Sequence, residues 1–310
     1  MKSNKVVSVL MITYKHEPFI AQAIEGVLMQ ETNFDFELLI ADDCSPDKTE
    51  EIVNDLITNH PKGKLIKYFR HPQNIGMQSN SDFVIRQCSG KYISICEGDD
   101  YWTDPKKLQK QYDFLERNPD YFLCAHRIVE KKCDQFFQIA NDKTDYTFSD
   151  FAISGSCNGI YTCSIFFRNS PKILDIFLED WVLQLDGGDH LVLLLSTLNG
   201  HKVKLFNNVM GVYRIHEGGV WSSSSIEKKV KDAIITNRLY IENLNLSKIQ
   251  KNQVHYGLTL RIRQFYYTQF KNRYIRKIVS VTLKLIFIAG PGGISNFLID
   301  FYSKRILNRF

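Results

Sequence analysis

"YISICEGDDYW", residues 92–102, is the stretch whose reading decides the fold. An apolar run gives way to Glu97, Asp99 and Asp100, three carboxylates within four residues. Crowded like charges repel, so such a cluster is either a solvated acidic turn closing a strand or a place where a cation is shared. Oxygen ligands without Cys or His favour Mg2+ or Mn2+, ions that also bind phosphate.

The segments before it set the context. Residues 6–12 (VVSVLMI) form a β-branched run suited to a buried strand. In "TYKHEPFIAQAIEGVLMQ", Phe19, Ile20, Ala23, Ile24, Val27 and Leu28 recur at helical spacing. A strand over 36–41, a turn "DDCSPDK" and a helix over 47–59 follow, with Ser45 expected as N-cap and Pro46 in the first turn. A strand at 64–69, a helix near 77–88 and a strand at 91–96 complete a β-α-β-α-β-α-β alternation. That rhythm predicts an α/β fold with a mostly parallel sheet flanked by helices. Ligands in such sheets gather beyond the carboxyl ends of the strands. The loops "TYKHE", "DDCSPD", "RHPQNIG" and "EGDD" are therefore expected on one rim.

Beyond a helix at 105–117 the pattern predicts strands near 121–130, 133–139 and 160–167, with a polar stretch from 140 to 159. A helix starting near Asp189, a strand at 202–206 and a strand running into a Gly/Ser loop at 213–225 come next, and 226–310 is helical in pattern.

The 310 residues, 44% of them hydrophobic, suit a catalytic domain over 1–225 and a second, basic helical region over 226–310. Seven scattered cysteines without a CxxC pair read as free thiols in a reducing compartment. The first apolar run lacks a small-residue cleavage site and reads as the first strand of a cytoplasmic protein. Formal charge is +5, yet residues 248–310 carry twelve Lys and Arg against one acid, Asp300. That tail, with Phe265, Tyr266 and Tyr267, suits peripheral contact with the anionic inner face of a membrane. Its apolar run is too short, and too interrupted by Lys284, to span a bilayer. No nucleic-acid motif is present. The lack of GxGxxG excludes a dinucleotide oxidoreductase, and "ITYKHEP" lacks the Gly-rich loop that the alternative of a sugar nucleotidyltransferase requires. A non-catalytic nucleotide-sugar-binding subunit is the other alternative.

Taken in order, these segments resemble the family 2 glycosyltransferases, inverting, nucleotide-sugar-dependent enzymes of the GT-A fold. The matching pieces are Thr13-Tyr14 with Glu17, "DDCS" at 42–45, Arg70 with Asn74 and Gly76, Gly90 to Ile93 before "EGDD", and Pro105 to Leu108. The likeness is strong over 5–118 and continues more weakly to about 222. Two positions depart from the family pattern: Glu97 stands where an Asp is usual, and Asp82 where many members carry Asn.

The resemblance implies a GT-A type, Rossmann-like sheet with a C-terminal helical extension, transferring a sugar from a donor such as a UDP-sugar to a surface polysaccharide or glycolipid. Asp43 would hold the nucleobase, with Tyr14 and Arg70 enclosing it. Thr13 and Glu17 would belong to the donor site, and Glu97 would reach a ribose hydroxyl. Asp99 would bind Mn2+ or Mg2+ at the diphosphate, with Asp100 beside it and His216 as a further ligand. Asp189, at the start of a late helix, would be the base that activates the acceptor, with Asp186 competing for that role.

Overall fold

The computed structural model describes residues 6–133, 135–138, 142–185, 187–219 and 224–269. Contacts divide the chain into two compact units, Met1–Thr147 with Gly159–Ser222, and Phe148–Asn158 with Ser223–Phe310.

The first unit is built on one sheet. Its strands are β1 (Val7–Thr13), β2 (Phe36–Asp42), β3 (Ile66–Arg70), β4 (Tyr92–Ile95), β5 (Tyr101–Trp102), β6 (Tyr121–Lys132), β7 (Gln135–Gln138), β8 (Asp145–Tyr146), β9 (Phe166–Arg168) and β10 (Lys202–Ile215). The order is β3-β2-β1-β4-β9-β6-β10-β5, with β7 on β6 and β8 on β10. β3, β2, β1 and β4 are mutually parallel. They connect through α1 (Ile20–Leu28), α2 (Thr49–Asn59) and α3 (Met77–Gln87), as the alternation predicts. Their inward residues, including Val9, Met11, Leu38 and Ile40, are fully buried with Ile20, Ile24 and Val27 of α1.

β9 is antiparallel to both β4 and β6, and β6 is parallel to β10. It follows that β10 runs in the same sense as β1, β2 and β4. The carboxyl end of this late strand, followed by His216, therefore reaches the same rim as the three loops after β1, β2 and β4.

Three local expectations are corrected. α2 begins at Thr49 rather than 47, and Ser45 does not cap it. The Ser45 hydroxyl instead accepts from the Lys15 amide at 3.0 Å, while Asp47 Oδ1 accepts from the Thr49 amide and hydroxyl at 3.1 and 2.7 Å. The strands expected at 202–206 and around 213 are one strand, β10, whose register against β6 shifts between Phe206 and Gly211. Asn207 and Asn208, which resemble turn residues, sit in that irregularity. The polar stretch 140–159 contains β8 and a helix, α5 (Phe148–Ser154).

In the second unit α5 packs on the helix Lys248–Gln269. A Cβ on Gly257 would stand 1.9 Å from the Ala152 carbonyl oxygen, so only glycine permits that approach. Asn237 Nδ2 donates to the Val254 carbonyl at 2.9 Å, joining the helix Ile226–Asn243 to Lys248–Gln269. Among the described residues no helix is long and apolar enough to cross a membrane. The basic stretch 270–310 lies outside the described residues, as does Asp186.

One buried cation stands out beneath the rim. Lys107, the first residue of α4 (Lys107–Arg117), is fully buried, with Nζ donating to Ser94 Oγ at 2.6 Å and lying 3.6 Å from the centre of the Trp102 ring. Burial pushes its amine down to about 7. Between that value and the ordinary lysine range the unfolded chain binds more protons than the folded one, so this group makes stability rise with pH across the window. Urea unfolding at pH 7 and pH 9.5 should therefore show a smaller alkaline gain for Lys107→Met than for the parent. Parallel stability profiles would contradict this assignment.

Candidate active site

The turn after β4 is seated on β1. Cys96 and Gly98 amides donate to the Leu10 and Ile12 carbonyls, both at 3.0 Å, so the turn extends the parallel pairing past the end of β4. Gly98 makes this possible, since a Cβ there would stand 2.8 Å from Thr13 Oγ1 and 2.9 Å from His16 Nδ1. The chain then reverses into β5, which pairs antiparallel with Gly211 and Val212 of β10. The acidic turn is thus held from both sides.

Its three carboxylates take different roles. Asp99 Oδ2 faces two imidazoles, 3.1 Å from His216 Nε2 and 3.8 Å from His16 Nε2. Burial alone would raise Asp99, but the His216 hydrogen bond and the charge of His16 and His216 outweigh it and hold the carboxyl below its usual range. Glu97 goes the other way. Burial first, then the charges of Asp99 and Asp189, push its carboxyl up to about 8, and its Oε2 is buried without a hydrogen-bond partner. Asp100 is also raised well above its usual range by burial and by the charges of Asp99 and Glu97. Its Oδ1 accepts from the Arg214 amide at 2.9 Å, which ties it to β10. Of the three acids, Asp99 alone keeps its negative charge easily.

Burial lowers His16 against the opposing pull of Asp99. Its Nδ1 and Thr13 Oγ1 are also buried without partners. Unpaired buried polar atoms are uncommon, and here three of them, on Thr13, His16 and Glu97, belong to the same turn and the loop it rests on. They leave room for a polar ligand.

The loops after β1 and β2 are clasped together. Glu17 N donates to Asp47 Oδ2 and Lys48 N donates to Glu17 Oε2, each at 3.1 Å. Lys15 and Cys44 both adopt φ of 60°, a conformation that non-glycine residues enter only where neighbours over-determine it. Asp42 accepts from the Ser45 amide and the Tyr68 hydroxyl. Asp43 accepts from the Ile75 and Gly76 amides at 2.7 and 2.9 Å, and so fixes the loop that the sequence singled out through Asn74 and Gly76. Arg70 pairs with Glu50 at 3.1 Å and reaches the Ser45 carbonyl at 3.3 Å. Tyr14 is exposed at the mouth of these loops. Asp82 pairs with Arg86 one turn along α3.

Asp189 is the first residue of the helix Asp189–Thr197, with Gly188 as its cap. Its Oδ1 accepts from the His190 amide at 2.7 Å, and its charge acts on Glu97. The structure therefore brings Thr13, Glu97, Asp99, Asp189 and His216 to one neighbourhood, places Glu17, Asp43 and Arg70 in the adjoining loops, and ties Asp100 to β10 through the Arg214 amide.

Sequence reading missed Arg214, His16 and Thr162. Arg214 was legible as the partner of His216, since residues two apart on a strand share a face. His16 lies within the quoted loop "TYKHE". Thr162, which lowers Glu97 against the effect of burial, carries no local signal because it arrives from a short helical turn, Thr162–Ser164, distant in sequence.

A family-implied divalent ion can be tested against this donor set. Among the described residues no three His, Cys, Asp or Glu side chains converge tightly enough to enclose an ion by themselves. An ionised carboxylate beside imidazole nitrogen, with unpaired polar atoms around it, nevertheless fits an ion that completes its shell with phosphate oxygens and water.

Comparison with known proteins agrees with the architecture. The chain is 32% identical over 230 residues to an uncharacterized protein of Mycobacterium tuberculosis, covering 72% of this chain and 62% of that one, so it spans about three fifths of that relative's length. It is 23% identical over 238 residues to the Escherichia coli UDP-Glc:alpha-D-GlcNAc-diphosphoundecaprenol beta-1,3-glucosyltransferase WfaP, covering 77% of this chain and 88% of that one. Among solved structures, Staphylococcus aureus TarS 1–349 in complex with UDP-GlcNAc superposes with a TM-score of 0.63 at 19% identity, covering 84% of this chain and 73% of that one. The Pyrobaculum calidifontis mannosyltransferase in complex with GDP-Man and Mn2+ gives 0.58 at 12% identity, covering 100% of this chain and 89% of that one. Both structural likenesses bear on the fold, which is of the GT-A type. The sequence profile of glycosyl transferase family 2 matches residues 8–171, more than half of the chain, and the chain belongs to that family.

Proposed function

We propose that the chain transfers a sugar, with inversion at the anomeric carbon, from a UDP-linked donor to a hydroxyl of a surface polysaccharide or glycolipid. The observation that carries this reading is Asp99: an ionised, largely enclosed carboxylate facing His216 and His16 where β1, β2, β4 and β10 end together. The E. coli relative, whose name gives a UDP-Glc donor and a diphosphoundecaprenol-linked acceptor, supports the donor and acceptor classes. The complex of the P. calidifontis mannosyltransferase with GDP-Man and Mn2+ supports a divalent ion.

In this reading Tyr14, Asp43 and Arg70 line the nucleoside side, and the unpaired Oε2 of Glu97 meets a ribose hydroxyl. Asp99 and His216 would hold Mn2+ or Mg2+, with the imidazole favouring Mn2+. When bound, the ion would offset negative charge growing on the departing diphosphate. Asp189 takes the acceptor proton on Oδ2, its Oδ1 being held by the His190 amide. The acceptor oxygen then bonds to the anomeric carbon as the bond to the diphosphate breaks, and both electrons of that bond leave with the diphosphate. Residues 1–225 would form the catalytic region. The basic region 226–310 would lie against an anionic membrane surface that carries the acceptor.

Two outcomes are expected. UDP with Mn2+ should raise the thermal midpoint of the chain by mass action, above the shift given by UDP in EDTA. Equal shifts would count against a metal at Asp99. Asp189→Asn should keep the UDP and Mn2+ shift while sugar transfer falls by about 10²-fold or more. Undiminished transfer would remove Asp189 from its role.

A further inference from the structure

Arg214 is absent from the catalytic scheme, yet more contacts at the rim pass through it than through any donor residue discussed above. It lies on β10 two residues before His216 and is 8% exposed. Its backbone amide donates to Asp100 Oδ1 at 2.9 Å. Nη1 donates to the Asp99 carbonyl, and Nη2 donates to Gln22 Oε1 on α1. The guanidinium carbon Cζ lies 4.3 Å from the centre of the Tyr101 ring and 5.2 Å from that of Phe19. Phe19 in turn packs on the His216 ring at 4.9 Å.

We infer that Arg214 is a positioning residue that fixes Asp99 and His216 relative to each other, with Asp100 as its backbone anchor. The reason is geometric. Asp99 carries both the carbonyl that Arg214 grips and the carboxylate that His216 meets, so holding the carbonyl fixes the backbone dihedrals from which the carboxylate projects. The same side chain closes Phe19 against the His216 ring. A planar guanidinium can bond two acceptors while stacking on an aromatic ring, which a lysine ammonium cannot do. Both hydrogen-bonding edges that the contacts define, and one face, are taken up by protein. Arg214 therefore acts through Asp99 and His216, and this inference rests on the proposal that those two residues hold a divalent ion.

The test is Mn2+ binding in saturating UDP, read from the free-ion electron paramagnetic resonance signal, for the parent, Arg214→Met and Arg214→Lys. Arg214→Met keeps an unbranched stem against Tyr101 but loses every side-chain donor. It should weaken Mn2+ binding by roughly tenfold or more, the scale of lost support behind a metal ligand. Binding of UDP in EDTA should stay within about twofold of the parent, since only the ion's ligands are disturbed. Arg214→Lys, with one donor able to reach the Asp99 carbonyl, should recover part of the loss.

Unchanged Mn2+ binding in folded Arg214→Met would overturn the inference while leaving the proposed function standing. An equal loss in Mn2+ and metal-free UDP binding would also overturn it, as that pattern marks a general structural role. A parent chain that binds no Mn2+ in the presence of UDP would overturn both. Should the Met variant fail to fold, Arg214→Lys carries the test, and Mn2+ binding equal to the parent's in that variant would overturn the inference.

Discussion

Everything at the rim depends on keeping one carboxylate charged where water is scarce. Enclosing an ionised carboxylate is costly unless charge or hydrogen bonds answer it. Asp99 is answered by His216 and His16, while its neighbours Glu97 and Asp100 are pushed toward their neutral forms by burial and by Asp99 itself. The three acids thus differ in how readily each carries its charge. The charge on Asp99 is aimed by a turn whose backbone is pinned to β1 on one side and to β10 on the other.

The sheet topology makes this economical. The antiparallel strand β9 reverses direction between β4 and β6, which restores the original sense in β6 and β10. Without that reversal His216 would lie at the opposite edge from Asp99, 117 residues earlier in the chain. The irregular register of β10 matters for the same reason, since it lets one strand run from Lys202 to Ile215 instead of ending at a turn near Asn207.

Much of this was legible in the sequence. β-branched runs and helical spacing read out β1 through β4 and their helices to within a few residues, because β1 and β2 are buried along almost their whole length and the pattern of each element is local. The four rim loops were also legible, because Asp, Asn, Gly and Pro punctuate strand ends for local reasons. Legibility stopped where partners come from far away. Ser45 looked like a cap, and its hydroxyl was taken by Lys15. Asp100 looked equivalent to Asp99, and its difference is set by Arg214, more than a hundred residues distant. Glu97 was read toward a ribose, while its environment is set in part by Thr162 and Asp189. No spacing rule within the acidic stretch distinguishes these three carboxylates.

The central claim is that Asp99 is the charge around which a divalent ion and a diphosphate assemble. Anomalous diffraction at the manganese edge, from crystals grown with UDP and Mn2+, tests it most directly. The account predicts a single anomalous peak beside the Asp99 carboxylate and the His216 imidazole, with Asp100 still bonded to the Arg214 amide. A peak on Asp100, or UDP bound with no manganese near Asp99, would contradict it.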